Sequence, residues 1–152
     1  MYGLTNDYLE QTSKRLLGPS FVGVFPADGF SDVPRKKNFS IIFNTDVMKN
    51  PGKHFVAIHV TSDKVHYFDS FGNPNIQKNI SDFIVKTKRK CFMHCEVIQD
   101  KRSNFCGYYA LAFLIWMKTG RRSYDFYNLF YSNVNLQKND SLVTQFIIDE
   151  IK

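Results

Sequence analysis

The run GYYALAFLIWMKT, from Gly107 to Thr119, carries a single charged side chain and decides how the chain folds. It is longer than a typical strand of about five or six residues, and Gly120 provides a helix stop at its end. We therefore predict a helix over Gly107–Thr119. A helix that is apolar on every side has to be covered on every side, so the other elements are expected to pack around it. Its uninterrupted apolar part, Tyr108–Met117, is about half of the ~20 residues that a membrane-spanning helix needs.

Short strands and helices are predicted on both sides of this helix. Apolar β-branched and aromatic runs between turn residues predict strands over Phe21–Phe25, Phe39–Asn44, His54–Thr61, Lys64–Asp69 and Glu96–Gln99. Capping and stop residues predict further helices over Thr5–Leu17, from Asn73-Pro74 to Lys86, from Ser123 to Phe130 and over Leu142–Ile151. The expected fold class is α+β, with a small mixed, mainly antiparallel sheet packed between helices. No repeat or linker interrupts the order, so residues 1–152 are expected to form a single domain.

The composition is that of a globular and basic protein. With 152 residues, 43% of them hydrophobic and 16% aromatic, the chain can build a core without a metal or disulfide bonds. Its 20 lysines and arginines against 14 acidic residues give a net charge of +6, which favours polyanionic partners, above all nucleic acid. Met1–Glu10 has no export-signal pattern, so we expect an intracellular protein that is not secreted, with its three cysteines reduced.

The hairpin from His54 to Asp69 can bring a histidine and a carboxylate together. If the loop Thr61–Lys64 is even-numbered, paired positions sum to 125 and Val56 lies opposite Asp69. His54 then lies diagonal to Asp69 on the same face, at a Cβ separation of roughly 7–8 Å that two side chains can bridge. An odd loop would put Asp69 on the other face.

A cysteine stands directly before the predicted buried helix. Cys106 would there be exposed to the positive end of the helix dipole, and Gly107 leaves room for an approaching carbonyl. Seven residues upstream, Gln99 carries an amide that can donate to an oxyanion together with the Cys106 backbone N–H. Cys106, His54, Asp69 and Gln99 thus form a candidate set of nucleophile, base, orienting carboxylate and oxyanion donor. Taken singly, each has a more ordinary interpretation: a small buried side chain, a structural histidine or a turn residue.

Several segments match a known family in order and spacing. His54-Phe55, Phe68-Asp69-Ser70-Phe71-Gly72, and Gln99 followed by Ser103-Asn104-Phe105-Cys106-Gly107-Tyr108 resemble the adenovirus endopeptidase (adenain) family. More distantly, they are similar to the SUMO-type proteases of the same clan. The likeness extends over roughly Leu4 to Gly120 and includes Gly18-Pro19, Phe21–Val24, Ile41–Thr45 and Gly52-Lys53. Two positions depart from the pattern. Phe55 stands where many relatives have Trp, and Asp69 stands where the adenovirus enzyme has Glu.

The resemblance implies a cysteine endopeptidase with a permuted papain-like fold. Cys106 would be the nucleophile at the N-terminus of the buried central helix, His54 the general base, Asp69 its orienting residue and Gln99 the oxyanion donor. Relatives cut after small residues, often at Gly-Gly or Gly-Xaa bonds, in viral precursor proteins or ubiquitin-like modifiers. A virus or a virus-like transposon is therefore the expected source, with the host nucleus or the virion as the place of action.

The resemblance also implies partners. The adenovirus enzyme is stimulated by DNA and by a peptide that forms a disulfide with a cysteine upstream of the glutamine. Cys91 and Cys95 lie in that region, and neither can be assigned.

No cofactor is expected to be required, and no metal is expected, because Cys91, His94 and Cys95 lack a second ligand pair. We expect a monomer acting on polypeptides. The alternatives are a deconjugating protease for a ubiquitin-like modifier and a non-catalytic basic module that binds nucleic acid.

Overall fold

The computed structural model describes residues 6–29, 33–45 and 54–151. Thr5, Gly52 and Lys53, which belong to segments predicted or matched from the sequence, lie outside these ranges. The helices are α1 (Asn6–Leu17), α2 (Lys78–Lys86), α3 (Cys106–Lys118), α4 (Ser123–Phe126) and α5 (Asn139–Ile151). The strands are β1 (Phe21–Pro26), β2 (Phe39–Asn44), β3 (Phe55–Val60), β4 (Lys64–Phe68) and β5 (Lys90–Met93). Short 3₁₀ turns lie at Gly18–Ser20, Tyr127–Leu129 and Leu136–Lys138.

The five strands form one mixed sheet in the order β1-β2-β3-β4-β5. Its two central pairings, β2 with β3 and β3 with β4, are antiparallel, and its two edge pairings are parallel. The central strand β3 is buried along almost its whole length, because helices cover both faces of the sheet. The predicted α+β class and mixed sheet packed between helices are confirmed.

Alternation along β3 divides the core into two layers. Phe55 and Ala57 face the helix layer of α1, α3 and α5, whereas Val56, Ile58 and Val60 face the layer of α2. From α2, the side chains of Ile80, Phe83 and Ile84 complete this second layer. The hairpin β3–β4 therefore lies between two apolar layers, and its ends are held firmly in place.

Helix α3 is buried from Tyr109 to Met117, as its sequence predicts. Its Phe113 ring stacks on Phe68 at the end of β4, with ring centres 4.6 Å apart and an angle of 9° between the rings. This contact fixes the helix on the hairpin, so Cys106 at the start of α3 and Asp69 just after β4 are positioned relative to each other. Within the described ranges, no helix is both long enough and apolar enough to span a bilayer.

Two predicted elements are corrected by the structure. The fifth strand is Lys90–Met93 rather than Glu96–Gln99, whose backbone makes no ladder. Instead, the N–H groups of Ile98 and Gln99 both donate to the Ser70 carbonyl at 3.1 Å. Helix α2 starts at Lys78 rather than at Asn73-Pro74, because the Asn73 side chain accepts from Asn75 N in a local turn and Gln77 caps the helix.

Candidate active site

The β3–β4 hairpin brings His54 and Asp69 into direct contact. The observed pairs Ala57–Phe68, Ile58–Tyr67, His59–His66 and Val60–Val65 all have positions that sum to 125, so of the two registers considered from the sequence, the even-numbered loop is the one observed. The His54 carbonyl accepts from Thr45 N at 2.9 Å, which holds the residue in line with β3. Nε2 of His54 then lies 2.9 Å from Oδ1 of Asp69.

The surroundings of His54 fix which ring nitrogen faces the carboxylate. A carboxylate only accepts, so Nε2 carries the proton that bonds Asp69, and the same Oδ1 also accepts from Phe71 N at 2.8 Å. The Phe71 ring packs against the imidazole, with ring centres 4.8 Å apart. Asp69 is 6% exposed, so its carboxylate stays fixed on the ring. The second ring nitrogen, Nδ1, is buried.

Cys106 provides the interaction on the other side of the imidazole. Its thiol is close enough to influence the charge of the imidazole, and Nε2 is already used by Asp69, so the buried Nδ1, for which the structure gives no hydrogen bond, is the nitrogen left to face the sulfur. Burial alone lowers the pKa of His54, but interactions with Asp69 and Cys106 outweigh it and raise the pKa to about 9. At neutral pH the ring is therefore an imidazolium, a cation beside the sulfur.

The backbone around Cys106 adds a second favourable feature. Cys106 is the first residue of α3, where the helix dipole is positive and backbone N–H groups point out of the helix end. Gly107 follows it and is buried, so no side chain stands between the sulfur and the helix terminus. The structure therefore brings His54, Asp69 and Cys106 together as the sequence analysis expects.

Gln99 is fully buried and is held at both ends of its amide. Its Oε1 accepts from Ser70 Oγ, and its Nε2 lies 3.1 Å from both the carbonyl and the hydroxyl oxygen of Ser103. Both acceptors lie on one residue, so Ser103 on one side and Ser70 on the other set the orientation of the Gln99 amide.

The turn after β4 joins the two parts of the site. Gly72 adopts φ +66°, and a Cβ there would come within 2.8 Å of the carbonyl oxygens of Cys95 and Glu96. Only glycine allows this close approach of two backbones without strain. Ser70, two residues earlier, holds Gln99 through both its hydroxyl and its carbonyl group. The segment that carries Asp69 is therefore packed directly against the segment that carries Gln99.

An open pocket of about 670 Å³ lies beside these residues. Its apolar wall consists of Phe71, Val97 and Leu136, and Gln99–Arg102 complete the lining. Phe71 also contacts the His54 ring, so the pocket adjoins the imidazole. A pocket of this size and lining fits a segment of polypeptide with at least one apolar side chain.

Sequence reasoning did not identify several residues that hold this site. Ser70 and Ser103 lie inside the matched segments, but only the structure shows that they bond Gln99. Asp140 accepts hydrogen bonds from Ser103 and Tyr109, and it lies beyond the segment that resembles the family. No pattern in the sequence marks Asp140, because its contacts depend on how α5 packs.

Neither of the other cysteines takes part in this arrangement. Cys91 lies on the edge strand β5 and Cys95 follows it, and both are exposed free thiols. Partial burial of the sulfur raises the pKa of Cys91. Within residues 6–29, 33–45 and 54–151, no group of three or more potential ligands is arranged to hold a metal ion.

Comparisons with known proteins place the fold among those of solved proteases. No protein-family model matches the chain, and no curated protein matches it. Among solved structures, the crystal structure of the ASFV pS273R protease matches with a TM-score of 0.61 and 18% sequence identity. The alignment covers 92% of this chain and 66% of that one, so the chain spans just under two thirds of that protein's length. At this identity the likeness concerns the fold.

Proposed function

We propose that this protein is a cysteine endopeptidase of the adenain type. The observation that carries the proposal is a histidine held between a buried carboxylate and a thiol at the first turn of a buried helix. A purely structural histidine would not need its charged form stabilised, whereas nucleophilic catalysis by cysteine does. The fold shared with a solved protease supports the same class of reaction.

In the proposed reaction, the Cys106 thiolate attacks the substrate carbonyl carbon and forms a C–S bond. The oxyanion accepts hydrogen bonds from the Cys106 backbone N–H and from the side-chain amide of Gln99. The His54 imidazolium then gives its proton to the leaving amine as the C–N bond breaks. Neutral His54 next takes a proton from water, whose oxygen attacks the acyl-enzyme and releases the thiolate.

The proposed substrates are precursor proteins cut at Gly-Gly or Gly-Xaa bonds in a viral or virus-like maturation pathway. Glycine suits a narrow cleft because its backbone can lie close to the walls. The pocket beside Phe71 would hold a neighbouring part of the same polypeptide. The matched neighbour is itself described as a protease of ASFV, which is consistent with a viral setting. Action in the host nucleus or the virion is part of this proposal.

Activation by DNA and by a disulfide-linked peptide belongs to the proposal as well. A second open pocket, of about 500 Å³, is lined by Lys64, Arg121 and Arg122 against the single acidic residue Asp63, and this excess of basic side chains would suit phosphate groups. Cys91 and Cys95 are exposed beside the outer edge of β5, where an added peptide strand could pair and form a disulfide. The basic pocket is also the observation that favours the second candidate function, a nucleic-acid-binding module without catalysis.

Selective alkylation tests the proposal. At about pH 6.5, well below the ordinary thiol pKa of about 8.5, iodoacetamide should modify Cys106 faster than Cys91 or Cys95. Accessibility alone predicts the opposite order, because Cys106 is 3% exposed and the other two thiols are exposed. The rates are measured by mass spectrometry of peptides from the native wild-type chain, and cleavage of Gly-Gly peptides is measured in parallel.

The two candidate functions give different outcomes in this experiment. Alkylation of all three cysteines at the rate of an ordinary thiol, with no peptide cleaved, would contradict an endopeptidase. Binding of DNA that is abolished by salt would then support the nucleic-acid module. Cleavage restricted to a folded ubiquitin-like modifier would instead favour a deconjugating protease.

A further inference from the structure

The loop before Cys106 is held by a side chain from the C-terminal helix. The Ser103 hydroxyl lies 2.9 Å from Oδ1 and 2.8 Å from Oδ2 of Asp140, in the first turn of α5. A carboxylate only accepts, so the single O–H of Ser103 donates to it. Asp140 therefore fixes the direction of the hydroxyl.

With its proton on Asp140, the Ser103 oxygen has both lone pairs available for other donors. Nε2 of Gln99 lies 3.1 Å from it, and so does the backbone N of Phe105, the residue that precedes α3. One hydroxyl thus uses its full hydrogen-bonding capacity, and each bond restricts a different part of the proposed oxyanion site. The bond to Gln99 holds the amide nitrogen that would donate to the oxyanion. The bond to Phe105 fixes the backbone that leads into Cys106.

Asp140 also holds the helix that carries the nucleophile. The Tyr109 hydroxyl, three residues after Cys106, donates to Oδ1 of Asp140 at 2.8 Å. Burial, and next the bond to Asp140, raise the pKa of Tyr109 well above its ordinary value, so the phenol keeps its proton and remains a donor. One carboxylate therefore ties the loop before Cys106 to the first turn after it.

We infer that Asp140 is a positioning residue for the oxyanion site, acting through Ser103 on the side-chain amide of Gln99. This inference rests on the proposed function. Asp140 touches neither His54 nor the sulfur in any described contact; its bonds lead to Ser103 and Tyr109, and its backbone carbonyl accepts from Thr144. Losing its carboxylate should therefore weaken stabilisation of the oxyanion and leave the thiolate–imidazolium pair as reactive as before.

A double-mutant cycle between Asp140→Asn and Gln99→Ala tests the inference. Loss of one oxyanion donor typically lowers kcat by roughly 10²–10³-fold, so Gln99→Ala should fall in that range. Asp140→Asn should lower kcat by about 10-fold or more with little change in KM. When Gln99 is already alanine, Asp140→Asn should lower kcat by no more than about 2-fold, because the effects of substitutions that act through one group are not additive.

Alkylation of Cys106 by iodoacetamide separates positioning from loss of structure. This reaction forms no oxyanion, so Asp140→Asn should leave its rate within about 2-fold of wild type at each pH. Glu150→Gln removes the same charge from an exposed position on α5 and should change neither kcat nor alkylation. If Asp140→Asn does not fold, Ser103→Ala replaces it in the same cycle, since it removes the hydroxyl through which Asp140 acts.

Each outcome decides between the possibilities. The inference would be overturned if the kcat loss of the double variant equalled the product of the two single losses, or if Asp140→Asn left kcat unchanged. In both cases the proposed endopeptidase function would stand. A fall in alkylation rate equal to the fall in kcat would show that Asp140 supports the fold of the whole site instead. A wild-type chain that cleaves no peptide and has an inert Cys106 would overturn the proposed function and, with it, the role of Asp140.

Discussion

Replacing Cys106 by alanine is expected to abolish cleavage of Gly-Gly peptides, lowering kcat by a factor on the order of 10⁶ if the sulfur is the nucleophile. No other described thiol can substitute for it, because Cys91 and Cys95 lie on or just after the edge strand β5 and neither is among the groups that act on His54. The loss should appear in kcat rather than in KM, since binding of the substrate backbone does not require the sulfur.

The same substitution should leave the fold intact. Alanine is the best helix former, and Cys106 begins a helix that is otherwise held by buried apolar side chains. Removing one buried sulfur costs about 1 kcal/mol of apolar burial, which is small against the stability of a domain. Thermal unfolding of Cys106→Ala should therefore resemble that of wild type, with Cys95→Ala as the matched control. Cleavage by a well-folded Cys106→Ala variant would show that the nucleophile lies elsewhere.

The hairpin part of the site could be predicted because it depends on local rules. Side chains alternate along a strand and the turn is short, so the two ends of the hairpin meet at positions that sum to 125. The apolar run Gly107–Thr119 likewise specifies a buried helix from its composition alone. These local rules account for the contact of His54 with Asp69 and for the burial of α3; the resemblance to a known family is what grouped Cys106 with them.

The supporting contacts could not be predicted, because they depend on long-range packing. Ser103 and Asp140 are far apart in sequence and come together only when α5 packs against α3. The position of Gln99 is set by Ser70 and Ser103 rather than by a strand, which is why the expected strand at Glu96–Gln99 was wrong. The apolar residues of Glu96–Gln99 are typical of a strand, but the segment packs against the turn at Gly72 without joining the sheet.

Replacing His54 by alanine is expected to lower kcat/KM by roughly 10³-fold or more and to slow alkylation of Cys106 at about pH 6.5 to the rate of an ordinary thiol. The imidazolium that stabilises the thiolate and protonates the leaving amine would be absent. His66→Ala is the matched control, because His66 lies on β4 and stacks on Phe92 of β5, and cleavage should persist in this variant. Unchanged alkylation in His54→Ala would show that the imidazole does not activate the thiol.

Asp69→Asn adds a pH test of the same pair. Burial lowers the pKa of His54, but Asp69 and Cys106 outweigh it and raise this pKa to about 9. In wild type, kcat/KM should therefore fall as the pH rises through about 9, where His54 loses its proton. The shifts of His59 and His66 have the opposite sign, since burial lowers both pKa values, so neither can produce that limb. Asparagine keeps an acceptor for Nε2 but loses the charge, and the limb should move to lower pH. The stabilisation that protonated His54 gives the fold has the same sign: it is complete below its ordinary pKa of 6.5 and is lost as the pH rises through about 9. A limb that stays near pH 9 in Asp69→Asn would mean that a group other than the His54–Asp69 pair controls the rate.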